Sequence, residues 1–274
     1  MNNIEKILWE RFEGGDDRLF RALKDLFEDA DRTSGKPGIE FVTSLLERYT
    51  FISRNKYDDG IDCIANFISS EFDLSRTLIC ASTADHTKDS AQMVLYDLTT
   101  ALGFLGYLNV NTANRYDRAQ VFAGKVDNII LVDEFLGTGR SFIGRVKEIS
   151  SHFKNKNTPV PGIHALVVAG MDFGLRRVAA YVKTIHCFEA LRPGLRGFLS
   201  GLPLKDAYKI LDDIESVLAQ NIESQALPRH GDGECEALYA RAKGNCPNSV
   251  LPIFWWPRFE NGNQRIPPFP RVFC

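Results

Sequence analysis

The densest run of residues able to do chemistry is VDEFLGTGRS, residues 132–141. An apolar run, residues 128–132 (NIILV), ends in two adjacent carboxylates, Asp133 and Glu134. Phe135, Leu136, Gly137, Thr138, Gly139, Arg140 and Ser141 follow, and then Phe142, Val146 and Ile149 recur at helical spacing. A strand, a glycine loop and a helix start in that order form an anion-binding arrangement. Glycines let backbone N–H groups turn toward a phosphate, and the helix N-terminus adds partial positive charge. Thr138 and Ser141 offer hydroxyl donors, and adjacent carboxylates accept hydrogen bonds from vicinal hydroxyls. The chemistry that fits is the binding of a phosphorylated sugar. The spacing is neither GxxxxGK[ST] nor GxGxxG.

These residues need a scaffold, and the flanking pattern supplies one. Residues 77–81 (TLICA), 128–132, 163–169 and 183–188 read as buried strands. Helical patterns lie between them: Ala91, Val94, Leu95, Leu98, Ala101 and Leu102 mark one face, and residues 171–182 form another helix. Strands alternating with helices predict an α/β fold, a parallel sheet with helices on both faces. In such sheets ligands bind beyond the carboxyl ends of the strands. Residues 1–75 read as an acidic helical cap with a turn at residues 33–38, residues 76–200 as the α/β core, and residues 201–274 as a helix plus an extended tail packing on that core. Seven of the 12 prolines lie from position 228 onward, which favours extended chain there.

Bulk composition excludes some classes. The 274 residues are 44% hydrophobic and 25% charged, and no run of about 18 apolar residues exists to cross a membrane. The first residues carry no apolar signal core, so a cytoplasmic location is expected. Net charge is −2 and argues for no general nucleic-acid role. Residues 140–196 nevertheless hold 10 Lys/Arg against 3 Asp/Glu, which suits a polyanionic ligand or a solvated helix face equally. Six cysteines are scattered without a CxxC pair. The spacing of His230, Cys235 and Cys246 fits no standard zinc site, so no metal ligands are assigned. His164 and His186 lie in strand runs and read as core residues.

The stretch 132–141 resembles the signature of type I phosphoribosyltransferases: apolar residues, two acids, two variable residues and a short Thr-Gly phosphate loop. That resemblance implies that Asp133 and Glu134 hold the ribose 2- and 3-hydroxyls and that Phe135 through Ser141 hold the 5-phosphate. It further implies a diphosphate loop after an earlier strand, for which Ala84, Asp85, His86 and Lys88 are the positional candidates. It also implies a catalytic flap in residues 109–125, where Arg115, Tyr116 and Arg118 stand. Departures are visible: Glu134 stands where Asp is usual, Arg140 where a small residue is common, and Asp85 and Asp89 oppose a diphosphate beside Lys88. Either a bridging Mg²⁺ relieves that opposition, or the leaving group is not free pyrophosphate. Asp172 is positioned to face a base pocket.

A narrower likeness lies in the tail. Asn245-Cys246-Pro247-Asn248-Ser249 followed by Leu251-Pro252-Ile253-Phe254-Trp255-Trp256 is similar to the end of phosphoribosyltransferase-like effector domains in bacterial anti-phage systems, some of them retron-associated. The likeness implies a toxin-type ribosyl transfer or nucleotide hydrolysis, with a nucleotide or phosphoribosyl diphosphate as ligand. Reverse transcriptase, winged-helix protein and nucleic acid are the implied partners, and no membrane is. The alternative is a subunit without catalysis, sensing a ligand or serving as a structural part of a nucleoprotein complex.

Overall fold

The structure, a computed structural model, describes residues 3–12, 16–84 and 89–272. The chain divides into two compact units: Met1–Arg54 with Leu191–Cys274, and Asn55–Ala190.

The first unit begins with α1 (Asn3–Arg11), α2 (Asp17–Glu47) and β1 (Thr50–Ile52). Asp16 caps α2 by accepting the Leu19 amide at 2.7 Å, which satisfies one orphan donor of the first turn. The turn expected at residues 33–38 is a break inside α2, at Gly35 with φ 61. A Cβ placed on Gly38 would lie 2.3 Å from the Ala30 carbonyl oxygen. Eight residues of straight helix would separate those positions by about 12 Å, so the chain turns sharply there.

The second unit carries the sheet. In order it contains α3 (Arg54–Glu71), β2 (Thr77–Ala81), α4 (Ser90–Phe104), β3 (Asn111–Ala113), β4 (Asn128–Leu136), α5 (Arg140–Asn155), β5 (Gly162–Met171), α6 (Asp172–Ala179) and β6 (Thr184–Leu191). The five strands lie in the order β3-β2-β4-β5-β6. The β2–β3, β2–β4 and β4–β5 pairings are parallel. This is the expected α/β architecture, with β4 at the centre.

Side chains alternate across a strand, and both faces of β4 are covered. Ile129 and Leu131 join Phe142, Ile143, Val146, Ile149 and Phe153 of α5 in one core. The other face carries Ile130 and Val132, both fully buried, and α4 packs on β4 and β2. Continuous burial along β5 fits a strand covered on both sides. The strand β3 was not expected: it occupies part of the interval read as a flap. Its three residues, Asn-Thr-Ala, have no apolar alternation, and pairing with Leu78, Ile79 and Cys80 holds them in place.

The chain returns to the first unit with α7 (Gly201–Glu215), the short pair β7 (Asn221–Ile222) and β8 (Gln225–Ala226), and β9 (Tyr239–Arg241). Strand β9 pairs in parallel with β1. Phe254, Trp255 and Trp256 of the tail are sealed from solvent. Tyr49 packs its ring 4.9 Å from both Phe254 and Phe269, and Arg18 donates to the carbonyls of Pro267 and Pro268. Each large apolar side chain so enclosed contributes about 1.5–3 kcal/mol, so the tail aromatics hold this unit together. Among the described residues, no helix is long and apolar enough to cross a membrane.

Candidate functional site

Strand β4 runs four residues further than its apolar run suggested. Asp133 pairs with Val167, Phe135 with Ala169 and Leu136 with Gly170 on the long strand β5. Phe135 and Leu136 are therefore strand residues, and the loop proper is Gly137, Thr138 and Gly139. Strand geometry also separates the two acids, since successive side chains point to opposite faces. Asp133 lies on the α5 side, whereas Glu134 shares the α4 side with Ile130 and Val132 and is only 1% exposed. Of the two adjacent acids, Asp133 is partly open and Glu134 is buried.

Asp133 is embedded in a small polar network at the carboxyl end of β4. Ser82, immediately after β2, donates its hydroxyl to Asp133 Oδ2. Ser82 is placed by its own amide, which donates to the Val132 carbonyl at 3.0 Å. Arg145 on α5 donates to Ser82 Oγ at 3.0 Å and stands 3.5 Å from Asp133 Oδ2. The Glu134 amide donates to Asp133 Oδ1 at 2.8 Å. The Asp133 side chain is 17% exposed. Burial pushes its carboxyl up to about 6, held back by Ser82 and Arg145 and raised further by Asp89.

The glycine loop leads from this acid into α5. Gly139 adopts φ 75 and occupies the N-cap of α5 without a side-chain cap. Thr138 Oγ1 accepts the Arg140 amide at 3.3 Å, and Arg177 of α6 donates to the Thr138 carbonyl at 2.8 Å. Gly137 and Thr138 are partly exposed, Arg140 and Ser141 are exposed, and Gly139 is buried. The loop rests on α6 at backbone contact: a Cβ on Gly174 would lie 1.9 Å from the Gly137 oxygen, and one on Gly139 would lie 2.7 Å from Val178. A partly open glycine turn resting on α6 and leading into a helix N-terminus is what an anion requires.

The other candidates fall out differently. Of the proposed diphosphate loop, Ala84 is exposed, while Asp85, His86 and Lys88 lie outside the described residues. Asp89 caps α4 by accepting the Ala91 amide at 2.8 Å. The expected flap is a packed element. Residues Tyr116–Phe122 form a 3-10 helix, in which Tyr116 joins the α5 core and donates to Glu148 at 2.7 Å. Its physical anchor is apolar, because Ala119 and Tyr116 fill space beside α5. Arg115 pairs with Asp117 at 2.5 Å, and Arg118 is exposed. Asp172 pairs with Arg176 at 3.2 Å at the start of α6. His164 is buried, with its ring edge-on to Phe72, and burial lowers it to about 4.

Sequence reasoning missed Arg145. Its signal was present: Ser141, Arg145 and Glu148 recur at helical spacing on α5, forming a polar stripe beside the apolar one of Phe142, Val146 and Ile149. Gly174 was also missed, because nothing in the sequence says which backbone will touch it.

A family model, PRTase-CE, matches residues 27–271. No curated protein matches the chain. Solved structures with similarity include a hypoxanthine-guanine-xanthine phosphoribosyltransferase at 13% identity, covering 50% of this chain and 75% of that one with a TM-score of 0.36. The xanthine-guanine-hypoxanthine phosphoribosyltransferase of Helicobacter pylori is similar at 10% identity, with 50% and 84% coverage and a TM-score of 0.34. A hypothetical protein from Neisseria gonorrhoeae with bound ppGpp is similar at 11% identity, with 59% and 96% coverage and a TM-score of 0.32.

Proposed function

The chain belongs to the PRTase-CE family, and on that premise we propose that it binds a phosphoribosyl diphosphate or a nucleotide at the carboxyl end of β4. The 5-phosphate sits against the amides of residues 137–141, and Asp133 accepts a ribose hydroxyl. The observation that carries this reading is the direct succession of a partly open Asp133, a partly exposed Gly137-Thr138 turn and the left-handed Gly139 that opens α5. Glu134 supports the ring from the buried face of β4 and meets the sugar only after a local shift of the strand end.

Transfer at C1 of ribose passes through a cationic, oxocarbenium-like state and needs no protein nucleophile. The site's tasks are to orient the sugar and to stabilise charge. Asp133 in its ionised form faces that developing positive charge. Asp133 and Asp89 lie close enough to influence one another, and two such carboxylates fit a dication such as Mg²⁺, which would supply bridging charge to a diphosphate. The protein then acts as a toxin-type effector in anti-phage defence, with a reverse transcriptase or a winged-helix protein as restraining partner.

Calorimetric titration with phosphoribosyl diphosphate and Mg²⁺ tests the site. Wild-type protein binds, and Asp133→Ala weakens binding roughly 10–100-fold, the effect of one hydrogen bond to a charged group. Absence of wild-type binding, or unchanged binding by Asp133→Ala, contradicts the reading. Growth arrest and nucleotide loss on expression distinguish an effector from a ligand sensor that binds without turnover.

A further inference from the structure

We propose that Asp212, Glu215 and His230 form a binding site for one zinc-class dication in the first unit. Asp212 and Glu215 are three residues apart on α7, so their side chains share one helix face. The loop after β8 brings His230 to that face. His230 Nε2 lies 2.8 Å from Asp212 Oδ1, and one ligand atom from each of the three residues lies within 4.8 Å of the others. Zinc holds nitrogen and oxygen donors at about 2.0–2.1 Å, which sets tetrahedral donors roughly 3.3 Å apart. The group needs only a modest contraction around Glu215 and a slight opening between His230 and Asp212.

Glu215 points independently to a ligand. Its residue is 0% exposed. Its one hydrogen-bond donor among the described residues is the His230 amide, at 3.1 and 3.4 Å from its two oxygens. A carboxylate offers about four acceptor positions, so lone pairs of Glu215 remain beside the His230 amide. A dication beside Glu215 would fill one of them. The His230 ring is already oriented: Tyr208, one helical turn before Asp212, stacks on it at 5.1 Å. Arg229 stands 3.8 Å from Asp212 with its side chain 45% exposed and also donates to Gln220 Oε1 at 3.2 Å, a pairing it can keep when a cation takes Asp212. One imidazole and two carboxylates suit zinc, and three protein ligands leave a position for water. Cys235 and Cys246 are buried and take no part in this group.

The test is calorimetric titration of Zn²⁺ alone into untagged, chelator-treated protein, comparing wild type with Asp212→Asn, His230→Gln and Cys63→Ser. The expected result is one Zn²⁺ per chain, affinity lowered more than tenfold, roughly, in both Asp212→Asn and His230→Gln, and no change in Cys63→Ser. Asp212 is half exposed, so Asp212→Asn decides the matter if His230→Gln fails to fold. Sub-stoichiometric wild-type binding, or full binding by Asp212→Asn, overturns the proposal. Loss of binding in Cys63→Ser also overturns it, since Cys63 and His186 approach to 3.7 Å elsewhere in the chain.

Discussion

The Arg145 guanidinium stands 3.5 Å from the Asp133 carboxylate, with Ser82 bridging the two. A helix that begins at the candidate phosphate loop thus also sets the charge of the acid before that loop. Arg145 favours ionised Asp133 and opposes the burial that raises its carboxyl to about 6. Replacing Arg145 with Met raises the Asp133 midpoint above that value. Binding that needs ionised Asp133 then requires higher pH. The check is phosphoribosyl diphosphate affinity from pH 5 to 8, where the variant's midpoint lies above that of wild type.

Asp133 also links stability to pH. Its carboxyl moves from about 3.9 in the unfolded chain up to about 6 in the folded one. The folded state therefore holds its proton longer. The associated stability is complete below pH 4 and is lost as pH rises through 6. Two units correspond to at most about 3 kcal/mol, less with partial solvent access. Asp133→Asn removes this slope, so wild type loses stability relative to the variant between pH 4.5 and 7.5 in thermal unfolding.

Gly174 supports the loop from beneath. An added Cβ would lie 1.9 Å from the Gly137 oxygen, so Gly174→Ala must displace the phosphate turn. The expected cost is about 1–3 kcal/mol of stability, as for overpacked cores, with ligand affinity lost as well. Chemical denaturation and titration measure the two effects, and Gly144→Ala, which meets open space, serves as the neutral control.

In the first unit, Arg265 is buried with Asp29, its Nε 3.5 Å from Asp29 Oδ2. It also donates to the carbonyls of Ile253 at 2.6 Å and Trp256 at 3.2 Å. Arg265→Ala leaves two buried carbonyls without this donor and removes one of two cations beside Asp29, whose Oδ1 keeps Arg32 at 2.8 Å, a loss of about 2–3 kcal/mol. Urea unfolding followed by tryptophan fluorescence reads this, because Trp255 and Trp256 lie in the same unit.

The parallel sheet was legible because its central strands are continuous apolar runs, and the acid-loop-helix succession was legible because glycine and hydroxyl residues mark it locally. The end of β4 was not, because Phe135 and Leu136 become strand only through pairing with Ala169 and Gly170. The 3-10 helix at Tyr116 lies in the interval where the resemblance implied a flap, and its short apolar spacing marks neither a strand nor a long helix. The grouping of the first 54 residues with the last 84 rests on contacts such as Arg18 with Pro267, distant in sequence and marked by no local pattern. His230 was weighed with Cys235 and Cys246 by proximity in sequence, whereas the fold sets it against α7.

The central claim is tested most directly by a crystal structure of the chain soaked with phosphoribosyl diphosphate and Mg²⁺. The account predicts phosphate density against the amides of residues 137–141, with a ribose hydroxyl in hydrogen-bond contact with Asp133 and Arg145 turned away from it. Ligand density elsewhere on the chain, with the Asp133–Ser82–Arg145 network intact and solvent alone at the loop, would contradict it.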